Sequence, residues 1–364
     1  MDLTIEQRDL RDAVRGLIEK TEAGQSPWRR LCEVGVASLG IPQRYGGAGA
    51  GLAEICVVMA ELGRNLTASP VLGSSALTAQ AVLASGDDAA CARLLPSIAD
   101  GSAIAALAWT TAAGHWDSAE VAYTARETRG GWELTGEAHY VLDGEVADVL
   151  LAAAAARDGI GLFEVDASGF GVTRTSVATM DASRRLAVVR LADAPGRRIG
   201  ADGTVSLAIA RDRACVALSA EEVGAAQRAL ELTVGHLLTR VQFGQPLGSF
   251  QALQHRVADL FVLVESARAL CAAVASAAYG ADATADLGMQ SAAAKVYCSE
   301  ALSQTASEMI QLHGAMGITW DHPAHRYLKR ALGDRYLFGS PSRQLATIAN
   351  RLIEDAGVPV SGSE

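Results

Sequence analysis

Apolar residues recur at helical spacing towards both ends of this chain. Leu10, Val14 and Leu17 fall on one helical face, and the run from Ile55 to Leu62 repeats that spacing. Further apolar stripes lie at residues 223–241, 257–271 and 302–310. Because the stripes are long and their connections short, the pattern predicts a helical N-terminal region and a C-terminal helix bundle.

Between these regions the pattern changes to short apolar and alternating runs that end in turn residues. The clearest of these runs read WELTGEAHYVLDG, VADVLLAAAA, GIGLFEVD and RLAVVRLAD. Short alternating runs between turn signals are typical of strands. We therefore predict an α+β fold with three domains: an α-helical domain over residues 1–103, a compact β-domain over residues 104–207 and the bundle over residues 208–358.

Composition narrows the class of protein. The 364 residues carry a net charge of −10, which argues against nonspecific nucleic-acid binding because phosphate backbones attract basic surfaces. The six cysteines are scattered without a C-x-x-C pair, so we expect free thiols in a reducing compartment. The N-terminus lacks the apolar core of a signal peptide, and no uninterrupted apolar run approaches the ~20 residues that span a bilayer. These features predict a cytoplasmic protein without a membrane segment.

The segment RVQFGQPLGSFQ, from Arg240 to Gln251, carries the strongest candidate site. An arginine precedes a Phe-Gly break, and a second helical pattern begins shortly afterwards. This order concentrates a cationic side chain and free backbone N–H groups, which suits a diphosphate. The alternative is an ordinary corner between two helices with a surface arginine.

A second candidate segment is IQLHGAMGITW, which contains Gln311, Gly314 and Ala315. Small residues such as Gly314 and Ala315 allow a phosphate to approach the backbone amides. The alternative is a glycine that ends the helix containing Met309 and Ile310.

The two segments resemble the R-x-x-F-G-x-x-L-x-x-x-Q and Q-x-x-G-G-x-G motifs of acyl-CoA dehydrogenases. The order of helices, β-domain and helices is similar over essentially the whole chain. The resemblance implies a β-barrel-like middle domain, a C-terminal four-helix bundle and FAD bound between them. It also implies that a neighbouring subunit covers the diphosphate and adenine of the FAD.

Carried over residue by residue, Arg240 would pair with the FAD diphosphate of a neighbouring subunit. Phe243 and Leu247 would pack near the adenine, and Gln251 lies in the helix that follows. The matched residues of the second motif, which would approach the pyrophosphate and adenosine, are Gln311, Gly314 and Ala315. Ala315 replaces the second glycine of the family motif.

The match in the β-domain is weaker. Thr110 in LAWTT stands where the family has the threonine of Y-x-x-T-E-P, so the resemblance implies a hydrogen bond to the flavin edge. Tyr140 in HYVLDG replaces the tryptophan that shields the isoalloxazine, and Leu142 replaces its threonine partner. Fewer polar contacts would therefore tune the flavin.

The family's usual catalytic base is missing. Removing the α-proton of an acyl thioester needs a carboxylate, which the family takes from a Y-E-G-T turn. Here the turn reads YLFGSPSR, so Phe338 or Gly339 replaces the glutamate, and Ser340 stands near the threonine. In some members the glutamate begins a bundle helix, and the matching residue here is Ala214.

The nearby acids offer only weak candidates for a base. They are Asp212, Glu221 and Glu222. For the two glutamates we favour a purely structural role, in which their charges complement the dipole at a helix N-terminus.

Short subunits without the glutamate occur in α2β2 acyl-CoA dehydrogenases of bacterial steroid breakdown, and this chain resembles them. The resemblance implies one subunit of a heteromer that oxidises a bulky or branched acyl-CoA. Electron-transfer flavoprotein or a similar acceptor would take the electrons, and the assembly would be a dimer of dimers. Two alternatives remain open: a homotetrameric enzyme with Asp212 or Glu221 as the base, and a structural subunit that binds neither flavin nor substrate.

Other chemistries fit less well. His322 and His325 lie three residues apart beside Asp321, but no further ligands follow at a metal-binding spacing, so we predict no metal. Ser340 lacks the context of a hydrolase nucleophile, and no G-x-G-x-x-G follows a strand.

Overall fold

The computed structural model describes residues 3–21, 26–278 and 287–356. The outer limits of the predicted domains, residues 1–2 and 357–358, lie outside the described part of the chain. The N-terminal region is helical, and a π-helical segment, Val71–Thr78, leads directly into its fourth helix. Its helices are α1 (Ile5–Glu19), α2 (Trp28–Glu33), α3 (Leu52–Arg64), α4 (Ala79–Ala84) and α5 (Asp88–Ala99).

The middle region forms a closed sheet. Its strands are β1 (Ala105–Ala108), β2 (Tyr123–Thr128), β3 (Gly131–Leu142), β4 (Val149–Ala156), β5 (Gly159–Asp166), β6 (Val172–Ser176) and β7 (Leu186–Ile199). The pairs β4–β2, β2–β3, β3–β7, β7–β5 and β5–β4 complete a ring, with β1 added to β4 and β6 added to β7. Buried side chains such as Leu134, Phe163 and Val189 fill the inside. The predicted runs correspond to β3, β4, β5 and β7.

The C-terminal region is a helix bundle. Its helices are α6 (Gly203–Thr239), α7 (Gln251–Ala277), α8 (Leu287–His313), α9 (Ala324–Asp334) and α10 (Pro341–Asp355). The helix α8 packs against all four others. The side chain of Asp202 accepts the backbone N–H groups of Thr204 and Val205, so α6 begins at Gly203 rather than at the predicted boundary of 208.

A short hairpin separates α6 from α7. Its strands are β8 (Val241–Gln242) and β9 (Gln245–Pro246), and the sequence pattern predicted only a break there. Phe243 and Gly244 both have positive φ, +52° and +79°, as the two central residues of a tight hairpin turn require.

The helix α7 is long and apolar. By length and composition alone it could cross a membrane, which was not predicted from the sequence because polar residues interrupt its apolar run. In this fold 33% of its most apolar 18-residue stretch is buried, and the helix packs against α6 and α8. All six cysteines are free thiols, and Cys32 is the one that lies partly exposed.

The helices α3 and α6 cross at glycines. A Cβ built on Gly224 would lie 1.9 Å from the carbonyl oxygen of Ala60, and one built on Gly63 would lie 2.0 Å from that of Glu221. Both distances are far shorter than any van der Waals contact. The two backbones therefore touch where neither residue has a side chain, which joins the N-terminal region to the bundle.

We predict that Gly224→Ala lowers the free energy of unfolding by roughly 1–3 kcal/mol, because the helices must separate to admit a methyl group. Gly235→Ala is the matched control in the same helix. No atom of the described residues lies within 4 Å of its Cβ position, so we expect a gain of up to about 1 kcal/mol from helix propensity. Denaturant unfolding of both variants measures the difference. Equal effects of the two substitutions would refute the close helix crossing.

Candidate functional site

Arg240 lies at the base of the hairpin between α6 and α7. Its backbone N–H donates to the carbonyl of His236 (2.9 Å), and its own carbonyl accepts the N–H of Leu247 (2.8 Å). Within the described part of the chain, no carboxylate pairs with its exposed guanidinium. Phe243 at the tip of the hairpin is 90% exposed, and Gln251 is exposed at the start of α7. The hairpin thus presents a cation and an aromatic ring to the surroundings.

A stack of three histidines connects the two candidate motifs. The ring of His236 on α6 stacks on that of His313 at the end of α8, with centroids 4.3 Å apart. His313 also contacts His322, at 4.4 Å. The Nδ1 atom of His313 donates to the carbonyl of Met309 (2.7 Å), which fixes the tautomer of this ring. The stack brings Arg240 and the segment after His313 to one surface.

The environment of His236 and His322 favours their neutral form. Burial lowers the pKa of His236, and the neighbouring imidazoles and Arg240 lower it further. Burial and His313 likewise lower the pKa of His322. Sequence reasoning missed His236 and His313, although His236 lies one helical turn before Arg240. It considered His322 and His325 as metal ligands, whereas His322 belongs to the stack and His325 packs against Trp320.

The second motif is open to approach from outside. Gln311, Gly314 and Ala315 are all exposed, and they lie at the end of α8 and in the 3-10 turn that follows. Gly314 has a φ of +60°, and in the part of the chain that the structure describes no atom lies within 4 Å of its Cβ position. This left-handed conformation also ends α8. Gly314 therefore acts as a helix C-cap and at the same time leaves its backbone accessible.

Thr110 and Tyr140 form a second group beside the sheet. The buried Thr110 follows β1, and its carbonyl accepts the N–H of His139 (2.8 Å). Tyr140 interrupts the pairing of β3 with β7, with a φ of +57°, and 37% of it is exposed. Its hydroxyl donates to the carbonyl of Ala112 (3.3 Å). Among the described residues, no hydrogen bond, ion pair or ring contact joins this group to Arg240 or Gly314.

Ser340 has a clear structural role. Its side chain accepts the N–H of Arg343 (3.4 Å) and caps the N-terminus of α10. Leu247 is half-buried in a 3-10 turn that follows the hairpin. Its N–H donates to the carbonyl of Arg240 and so closes the hairpin loop.

Buried apolar side chains occupy both positions at which the family carries its catalytic base. Phe338 is 1% exposed and has a φ of +63°, and its ring meets that of Trp116 edge to face at 5.2 Å. Trp116 meets Trp109 in the same way at 5.1 Å. Ala214 is fully buried in the same hydrophobic core. Neither base position carries a group that could accept a proton.

The remaining acids near these positions are ion-paired. Glu221 lies between Arg184 (2.8 Å) and Arg330, and Asp212 pairs with Arg211 (2.9 Å). The interpretation of Glu221 and Glu222 as charges at a helix N-terminus is wrong. The helix α6 begins at Gly203, so both residues lie in its buried middle.

Comparison with known proteins identifies the family. The N-terminal domain of acyl-CoA dehydrogenases matches residues 4–102, and their C-terminal domain matches residues 202–353. The acyl-CoA dehydrogenase IpdE2 of Mycobacterium tuberculosis is 38% identical over 337 residues, which cover 91% of this chain and 87% of the relative. This chain belongs to the acyl-CoA dehydrogenase family.

Solved structures agree with the assignment. The ChsE4–ChsE5 complex of Mycobacterium tuberculosis matches with a TM-score of 0.86 and 29% identity, covering 97% of this chain and 99% of the other. The Tcur3481–Tcur3483 steroid ACAD matches with a TM-score of 0.85, 29% identity and the same coverage. The predicted family and fold class are therefore confirmed, as is the expectation of an FAD-dependent oxidoreductase.

In this acyl-CoA dehydrogenase, a buried ionic cluster surrounds Glu221 and Glu222. Lys295 donates to Glu222 (3.1 Å) and to the carbonyl of Asp334 (2.9 Å). Arg184 reaches from the loop before β7 to Asp334 (3.0 Å) as well as to Glu221. With Asp181 and Arg330, the cluster contains four carboxylates and three cations. Full ionisation would leave one uncompensated negative charge.

The cluster leaves little space and raises the pKa of one of its carboxyl groups. The cavity lined by Leu142, Asp143, Arg184 and Glu221 has a volume of about 20 Å³, which admits a water molecule but no acyl chain. Burial raises the pKa of Asp334 to about 7 and that of Asp143 to about 6. One oxygen of Asp334 has no hydrogen-bond partner, as expected for a desolvated carboxyl group.

We predict that Asp334 stabilises the fold at low pH and that its contribution to the free energy of unfolding falls as the pH rises from about 4 to about 7. A carboxyl pKa that is raised in the folded state stabilises the fold at low pH, and this contribution is lost as the pH rises through about 7. Asp334→Asn should flatten the profile, because the amide does not titrate. Urea unfolding across this range measures the effect, with the exposed Asp12→Asn as the control. Parallel profiles for wild type and Asp334→Asn would contradict the assignment.

Proposed function

We propose that this chain is the subunit without a catalytic base in a heteromeric acyl-CoA dehydrogenase. In this proposal a second, glutamate-bearing subunit provides the base for α,β-dehydrogenation of a bulky, steroid-type or branched acyl-CoA. The assembly is a dimer of dimers, and electron-transfer flavoprotein or a similar carrier accepts the electrons.

One observation carries the proposal. Both base positions, Phe338 and Ala214, are buried and apolar, and Phe338 is packed against Trp116. An acyl thioester does not lose its α-proton to water at a useful rate, so the reaction needs a positioned carboxylate. Because this chain offers none at those positions, the base has to come from elsewhere.

The arrangement of Asp212 and Glu221 argues against an autonomous enzyme. Arg184 and Arg330 both bind the Glu221 carboxylate, so its oxygens are engaged in ion pairs rather than free to contact a substrate. Burial raises the pKa of Asp212, while Arg211 opposes that shift. The Oδ2 atom of Asp212 lies 3.3 Å from the Cβ position of Gly288, so this carboxylate faces the start of α8.

The surface around Arg240 fits one part of FAD. A guanidinium without a carboxylate partner and the unobstructed backbone of Gly314 suit a diphosphate. Phe243 and Leu247 would lie on the adenine side, with Gln251, Gln311 and Ala315 nearby. When bound, FAD supplies the acceptor for the hydride that leaves the β-carbon of the substrate.

The residues of this chain that would contact the isoalloxazine fit FAD less fully than the surface around Arg240 does. Thr110 and Tyr140 would contact the isoalloxazine, and the half-exposed ring of Tyr140 can stack on it. Ser340, which stands near the family's threonine in sequence, caps α10. The small cavity near Leu142 and the aromatic rings around Phe338 argue against a complete substrate site within this chain.

The substrate class is proposed from the relatives. IpdE2 is named an acyl-CoA dehydrogenase, and the Tcur3481–Tcur3483 enzyme is titled a steroid ACAD. The ChsE4–ChsE5 structure is titled a complex of two proteins. These names favour a heteromer and a bulky acyl group over a homotetramer for short fatty acyl-CoA.

We predict that the chain purified alone has no acyl-CoA dehydrogenase activity with an artificial electron acceptor. Co-expression with a glutamate-bearing family member encoded beside it should restore activity. In the active complex, Asp212→Asn should retain kcat, whereas loss of a true base costs roughly 10²–10⁴ in rate. Activity of the isolated chain, or a loss of that size for Asp212→Asn, would support the autonomous alternative.

We predict that Arg240→Gln weakens FAD binding to the complex by roughly ten- to a hundredfold, because a charge-assisted hydrogen bond to phosphate is lost. Flavin fluorescence during titration of the apo-complex measures the affinity. Arg126→Gln, on the exposed edge of β2, is the matched control and should bind FAD normally. Unchanged affinity for Arg240→Gln would favour a structural subunit that does not touch the flavin.

A further inference from the structure

A groove on the opposite side of α6 from the ionic cluster has no role in the proposed flavin site. It lies between α1, α3, α6 and α7 and has a volume of about 550 Å³, within the usual range for small-molecule sites. It shares no lining residue with the cavity beside Glu221. Any ligand of this groove is therefore distinct from a ligand at the flavin surface.

The floor of the groove is apolar and built from small side chains. Four residues of α3 and three of α7 supply most of it, and Ala220 and Val223 of α6 complete it. The residues from α3 and α7 are Ala53, Cys56, Val57, Ala60, Cys271, Ala272 and Ala275. Small side chains on three helices leave a trench in which an unbranched apolar chain buries its surface from water.

The rim of the groove is cationic. Arg8, Arg11 and Arg15 follow one another at intervals of three and four residues, so they share one face of α1. Arg268 faces them from α7, where it pairs with Glu265 (2.6 Å). Arg15 is bound to the buried Glu61 (2.7 Å), so its charge is already compensated.

Arg8 and Arg11 are the cations best placed for an external anion. The side chain of Arg8 makes one long hydrogen bond, from Nε to the carbonyl of Thr4 (3.4 Å), and within the described residues no carboxylate pairs with it. Arg11 pairs with Asp12 (2.8 Å), whose side chain is 62% exposed. Such an exposed pair contributes little and exchanges readily for a ligand carboxylate.

We propose that this groove binds a long-chain monocarboxylate, with its hydrocarbon chain on the Ala/Cys floor and its carboxylate between Arg8 and Arg11. Two guanidinium groups one turn apart match the two oxygens of a carboxylate. The apolar floor would bury the hydrocarbon chain of the ligand, and the cationic rim would bind its carboxylate. The proposal is independent of the flavin site, so either can fail alone.

Isothermal titration of the full-length protein with dodecanoate tests the proposal. We expect saturable binding that weakens with added salt, and much weaker binding of dodecanol, which has the same chain without the charge. The double substitution Arg8→Gln and Arg11→Gln should lower the affinity about tenfold or more. Arg29→Gln, whose side chain is 93% exposed on α2, is the charge control and should bind as wild type.

A second pair of variants tests the floor without altering charge. Ala272→Phe should fill the trench from α7 and abolish binding, whereas Ala273→Phe, on the neighbouring exposed position, should not. Thermal unfolding of both variants controls for loss of folding. Equal binding of dodecanoate and dodecanol, or binding that survives both Ala272→Phe and the arginine substitutions, would overturn the proposal. Displacement of dodecanoate by dodecanoyl-CoA alone, with no effect of the groove variants, would also overturn it.

Discussion

The burial of two glutamates in the middle of α6 constrains the rest of this molecule. Glu221 and Glu222 are almost inaccessible to solvent, so their charges have to be compensated within the protein. Arg184 comes from the β-domain, Lys295 from α8 and Arg330 from α9, so the ionic cluster joins three parts of the chain. The cavity beside Glu221 is only about 20 Å³, too small for an acyl chain.

The stack of His236 on His313 joins the end of α6, one turn before Arg240, to the end of α8, directly before Gly314. Within the described residues, the Arg240 guanidinium has no carboxylate partner and the backbone of Gly314 is unobstructed, which is why we propose a diphosphate there. The interior around Phe338, by contrast, is packed with aromatic rings. A subunit with a complete outer surface and a filled interior is consistent with one component of a shared enzyme.

Sequence reasoning succeeded where the information is local. The long helices, the strands β3, β4, β5 and β7, and the break between helices after Arg240 all follow from residues close together in the chain. The strands β1, β2 and β6 escaped because they are short, and AALA in β1 has no alternation. The partners of Glu221 could not be predicted, since Arg330 lies more than a hundred residues away. For the same reason the histidine stack became visible only in three dimensions.

The mass of the intact assembly, with its flavin counted, tests the central claim most directly. The chain is expressed together with its candidate partner and measured under native conditions. Our account predicts an assembly of two different subunits that retains FAD, while the isolated chain is largely free of flavin. A homotetramer of this chain with a full complement of FAD would contradict it.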